Sequence, residues 1–137
     1  MNLTSKSIRS LSLVPIYIVC TTFVFACAIK PMPVEFWHVG DDGLSERLAD
    51  CTEKAFEQSA TFRLSNGRKP GTLIVEIPAN VDWKQIGRRV RVHYSVTFSL
   101  VDGRKLGDRA GSCWENDLKK CATMIVSDAA IVAGRMH

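Results

Sequence analysis

Histidine is scarce in this chain. There are three, His38, His93 and His137, at no spacing that suits a metal-ligand set, which leaves no histidine-built metal centre to read. Cysteine occurs five times but never as a C-x-x-C pair. Cys113 and Cys121 lie too far apart for a zinc knuckle, and no second pair exists. There is no internal repeat and no low-complexity tract, which excludes solenoids and repeat arrays. No catalytic or phosphate-cradling motif is present, so no cofactor is indicated. Long apolar runs are lacking too, with one exception.

That exception is Leu11–Ile29, LSLVPIYIVCTTFVFACAI, with Lys6 and Arg9 just before it. A basic segment followed by an apolar one is the layout of an export signal. Val24-Phe25-Ala26-Cys27 resembles the signal of bacterial lipoproteins, in which the peptidase cuts before the cysteine. The resemblance implies that Cys27 carries lipid. Phe25 departs from that pattern, which expects a small residue. Ala26-Cys27-Ala28 is also an A-x-A site for ordinary cleavage. A run of 19 residues just reaches the length of a spanning helix, although Pro15, Thr21 and Thr22 weaken an anchor. The address that follows is the periplasmic side of a bacterial membrane. An outer-membrane lipoprotein is favoured; a soluble periplasmic domain and an inner-membrane anchor are the alternatives.

Residues 1–27 are thus a leader. Residues 28–40, with Pro31 and Pro33, read as a stiff spacer. Residues 41–137 read as one small α+β domain. Charge is unevenly spread. Residues 30–60 hold three Lys/Arg and seven Asp/Glu, a net −4, whereas residues 61–114 hold ten and four, a net +6. The acidic part is a helix and the basic part a sheet. Basic surface implies an anionic neighbour, which in an envelope is a lipid or glycan head group rather than nucleic acid.

Asp41-Asp42-Gly43 caps a helix, along which Leu44, Leu48, Cys51 and Ala55 recur at helical spacing. Phe62–Leu64 and Thr72–Ile77 read as short strands. Pro78–Gly87 reads as a connection in which Val81, Trp83 and Ile86 tuck against the core. From Arg89 to Leu100 apolar residues alternate with polar ones, the mark of a half-buried strand. Asp102-Gly103 turns the chain, and a return strand runs to Trp114. Leu118, Cys121, Ala122, Ile125, Ala129 and Val132 share one face of a last helix that Gly134 ends. Helix, three- or four-stranded antiparallel meander and helix make a two-layer sandwich.

The hairpin has two registers. A two-residue turn pairs Phe98 with Gly107 and places Arg109 on the apolar face. A three-residue loop with left-handed Gly103 pairs Phe98 with Leu106 and Val90 with Trp114, and is preferred because a one-residue slip exchanges the two faces. It gathers Arg89, Arg91, His93, Lys105 and Arg109 on the wet face, beside Ser95, Thr97 and Ser99. These residues are the candidate ligand-binding surface. Trp83 and Trp114 read as core.

Cys113 and Cys121 bracket a strand-to-helix corner and are the favoured disulfide; Cys51–Cys121 is the rival pairing. An unbridged Cys113 near His93 is the one conceivable nucleophile.

A leader followed by helix, meander and helix resembles small bacterial envelope lipoproteins, including those supporting lipopolysaccharide export, penicillin-binding-protein activation or secretion. The resemblance is one of layout and implies a non-enzymatic accessory role. The reading is a tethered binding protein whose basic sheet face contacts an anionic lipid, a glycan or an acidic envelope partner. The alternative is a homodimerising interaction module.

Overall fold

The computed structural model describes residues 30–136. The apolar leader with Cys20 and Cys27, and the terminal His137, lie outside the described residues.

The sheet begins earlier than residue 41. Met32–His38 forms β1, within the segment read as a spacer. The prolines do make it extended, but it is paired on both sides. β1 runs parallel to β2 (Phe62–Leu64) and to β3 (Leu73–Ile77). Proline is tolerated because of where the pairing starts. Met32 donates to Thr61 and Val34 accepts from Ser65, so Pro33 faces the β3 side, where pairing begins only at Val34. Its missing N–H costs no ladder bond.

Between β1 and β2 lies α1 (Gly43–Glu57). Asp42 caps it by accepting from the Ser45 N–H at 2.6 Å. That bond holds the Asp42 carboxyl below its ordinary range. The buried residues are Ser45, Leu48, Ala49, Thr52 and Phe56, a stripe rotated from the one that spacing suggested. Phe56, the largest apolar group on α1, sets the rotation. Thr52 is tolerated inside because its hydroxyl donates to the Leu48 carbonyl at 2.8 Å.

β5 (Arg89–Leu100) is the spine of the sheet, with Val92, Tyr94, Val96, Phe98 and Leu100 buried. β6 (Lys105–Trp114) runs along one of its edges. The other edge is shared. β3 pairs with Thr97–Leu100, and β4 (Asp82–Ile86) pairs with Arg89–His93. The sheet is therefore six-stranded and mixed, rather than an antiparallel meander of three or four. The two-layer α+β arrangement stands. A short 3-10 turn, Glu115–Asp117, leads into α2 (Leu118–Gly134), and both helices cover the same sheet face. α2 buries Leu118, Cys121, Ala122, Ile125, Ala129 and Val132, the set its spacing requires.

The hairpin register combines the two alternatives. Ser99 pairs with Lys105, as the three-residue loop demands, and Gly103 has φ +89°. A bulge at Leu106 then moves the ladder by one residue, so that Phe98 faces Gly107 and Val96 faces Arg109. The register set aside from sequence thus governs most of β6. The bulge serves packing in two ways. It puts Cys113 on the inner face opposite Val92, and it puts Gly111 opposite Tyr94. A β-carbon on Gly111 would lie 2.6 Å from Tyr94 Cζ, so the aromatic ring occupies the space the glycine leaves free.

Candidate binding surface

The bulge also decides which basic residues share a face. Arg89 and Arg91 alternate outward on β5, and Trp114 pairs with Arg91 on the same side. Trp114 is therefore not a core residue. The Arg89 guanidinium lies 3.8 Å from its ring centroid and that of Arg91 lies 4.9 Å away. The ring's electron-rich π system attracts both cations. Arg91 also donates to Ser112 Oγ at 2.8 Å. Glu115, which follows Trp114 in sequence, is engaged elsewhere, accepting from Arg47 of α1 at 2.9 Å. Among the described residues, neither Arg89 nor Arg91 has a carboxylate partner. Two such oriented guanidiniums present fork-like N–H sets that match phosphate or carboxylate oxygens.

The remaining predicted residues fall elsewhere. His93 is exposed on the same face, opposite Ser112 and Asp82. Lys105 lies far along the strand. Its partner Ser99 is eight residues from Arg91, about 26 Å in an extended chain. There it is neutralised by Asp108 at 2.8 Å. Asp108 also accepts from Thr97 at 2.9 Å, and the two bonds, that from Lys105 foremost, hold its carboxyl below the ordinary range. Arg109 is on the opposite, helix-bearing face. An inward-facing charge and a bulge are the features by which an exposed edge strand resists pairing with a second chain.

Two flanking cations were not singled out from the sequence. Lys84 sits opposite Arg91 on β4, and Arg88 lies in the β4–β5 turn. Trp83 does not tuck into the core; it is 62% exposed. The signal available was Ile86-Gly87-Arg88-Arg89. Ile86 pairs with Arg89, and Gly87 at φ +62° opens a two-residue turn with glycine in its first position. Gly-X is a quieter turn signature than the Asp-Gly that follows β5.

Where β3 ends and β4 begins, Tyr94, Ser95 and Val96 have no strand partner on that edge of β5. A cleft of about 430 Å³ opens there, bordered by Asn80, Asp82, His93, Ser95 and Ser112. His93 lies on the rim of this cleft. Cys113 is bonded to Cys121 and buried. A bridged, inward sulfur is no nucleophile, which removes the one route to covalent chemistry considered above. Among the described residues, no group of three or more His, Cys, Asp or Glu is placed to hold a metal ion, and no helix is long and apolar enough to cross a membrane.

Tyr94 borders this cleft from the inner side. Its hydroxyl has no hydrogen-bond partner among the described residues. Burial, and secondarily the charge of Asp128, push its ionisation up from 10.0 to about 12. With the folded value above the unfolded one, Tyr94 contributes stability that is complete below pH 10 and is lost as pH rises toward 12. Tyr17 is the only other tyrosine. In a Tyr17→Phe background, phenolate absorbance is expected to appear near pH 12 while the chain stays folded. Ionisation at the ordinary value in the folded chain would show that the ring is not buried against α2.

No family model and no curated protein sequence matches this chain. Solved structures resemble it in shape. A DUF330 protein from Xanthomonas campestris superposes with a TM-score of 0.58 at 11% identity, covering 79% of this chain and 88% of its own. A minor lipoprotein from Acinetobacter baumannii gives 0.46 at 13% identity over 74% of this chain and 94% of its own. A dodecameric PelC variant from Paraburkholderia phytofirmans gives 0.48 at 11% identity, over 75% and 88%. At 11% identity the first is a likeness of fold.

Proposed function

We propose that this chain is a non-catalytic accessory protein of the bacterial envelope. It is held at a membrane through lipidated Cys27 or its apolar N-terminal segment, and it binds an anionic partner with Arg89 and Arg91. The observation that carries the binding reading is the pair of guanidiniums stacked on Trp114 without a carboxylate among the described residues. Internal ion pairs neutralise Arg47 and Lys105; what sets Arg89 and Arg91 apart from the other unpaired cations is the aromatic ring they share. The envelope address rests on Lys6, Arg9, the apolar run and Ala26-Cys27.

The test is binding of the full chain to phosphatidylglycerol vesicles, lipopolysaccharide and a polyanionic polysaccharide. Each cation near an anionic surface contributes about 1 kcal/mol. Arg89→Ala with Arg91→Ala is therefore expected to weaken binding about thirtyfold. Lys105→Ala, whose charge Asp108 already meets, should leave it nearly unchanged. A double variant that binds every probe like the parent would overturn the reading.

A further inference from the structure

The hairpin made by β4 and the start of β5 is unlike the rest of the sheet. Every residue from Asp82 to Arg89 is exposed. Exposure alone is ordinary at a sheet edge; the composition is not. Trp83 is 62% exposed and Ile86 47%, and four cations surround them: Lys84, Arg88, Arg89 and Arg91. Asp82 is the one acid, at the end of β4 nearest the body.

Trp83 and Ile86 point to opposite faces of the strand. Trp83 pairs with Val92 and takes the helix side; Ile86 pairs with Arg89 and takes the other. A flat, rigid protein partner covers one face of a strand and leaves the other wet. A fluid layer that is polar outside and apolar within covers both at once when the hairpin enters edge-on. The two side chains are three residues apart, about 10 Å along the strand. Edge-on entry along β4 holds both at one depth, within the headgroup boundary that interfacial elements occupy. Tryptophan favours that boundary, and long cationic side chains reach back to phosphates.

From this geometry, and resting on the reading above, we propose that the β4–β5 hairpin is a blade that enters the headgroup layer of an anionic bilayer. Trp83 and Ile86 sit in the apolar boundary, and Lys84, Arg88, Arg89 and Arg91 lie at phosphate level. The blade lies at the far end of the sheet from the chain's entry. β1 enters beside the Leu100 end of β5, and Leu100 is eleven residues from Arg89, about 36 Å. A chain held by its N-terminus thus carries the blade at its opposite pole.

That separation makes a direct test possible with the full chain. It is reconstituted through its leader into phosphatidylcholine vesicles, then mixed with dye-labelled acceptor vesicles, and docking is read by energy transfer. Acceptors containing phosphatidylglycerol are expected to dock and pure phosphatidylcholine acceptors are not. Trp83→Ser with Ile86→Ser is expected to lower docking at least roughly tenfold, with unchanged circular dichroism because both positions are exposed. Brominated acceptor lipids are expected to quench indole emission in the parent but not in Trp83→Phe. Undiminished docking by the Ser double variant overturns the blade and leaves the arginine site standing. Undiminished docking by Arg89→Ala with Arg91→Ala overturns both. A parent chain that ignores anionic vesicles but binds an acidic protein, or pairs with a second copy through β4, overturns the blade alone.

Discussion

Alanine in place of Phe98 is expected to lower stability by about 3–5 kcal/mol, near the top of the range for a buried aromatic. Phe98 is fully buried on the inner face of β5. Its neighbour on one side is Val75 of β3, and on the other it is Gly107, which has no side chain. The ring therefore fills the width of two strands. Once it is cut back, Gly107 directly opposite has no side chain to fill the hole, which favours a persistent cavity over collapse. A domain of this size is stable by about 5–15 kcal/mol, so one such loss removes a large share. The check is a urea titration, in which the midpoint should fall with an unchanged slope. Thr97→Ala, one residue away on the outer face, loses only an exposed bond to Asp108 and should cost about 1 kcal/mol or less. Near-equal losses at the two positions would mean that the inner and outer faces of β5 have been exchanged.

That contrast marks how far the sequence could be read. The alternation on β5 named its faces because each inward residue is apolar and each outward one polar, a local signal six residues deep on each side. α2 was legible for the same reason at helical spacing. β6 was not, because its inner face is Gly107, Arg109, Gly111 and Cys113, small or charged residues that carry no apolar period. Only the partner strand explains them: Tyr94 fills the space over Gly111, and the bulge at Leu106 appears solely in the pairing. β1 was missed because Pro31 and Pro33 read as a stiff, extended spacer wherever the neighbouring strands are unknown. The half-site Arg89–Arg91 was legible as charge. Its platform was not, since placing Trp114 outward depends on the same bulge that moves Arg109 inward. The blade was misread because Trp83 and Ile86 are apolar, and apolar residues are expected inside until an edge strand with no helix over it is seen.

Removing the Cys113–Cys121 bond should cost about 2–3 kcal/mol, the low end for disulfides, because the two residues are only 8 apart and the closed loop is short. The bond has a local role as well. It ties the end of β6 to the first turn of α2, and that helix begins at Asp117 without a side-chain cap. The covalent link holds a start that capping does not. Trp114 sits between the bonded cysteine and the turn, so loosening this corner moves the ring under Arg89 and Arg91 without altering a single charge. Reduction is therefore expected to lower the denaturation midpoint and to weaken binding to anionic vesicles together. The comparison is best made in a Cys51→Ala background, since Cys51 is the free thiol among the described residues and could otherwise exchange with the bridge. A midpoint that falls while vesicle binding holds would separate the corner from the arginine platform. A midpoint indifferent to reductant would mean that the inner face of β6 closes the core without its bridge.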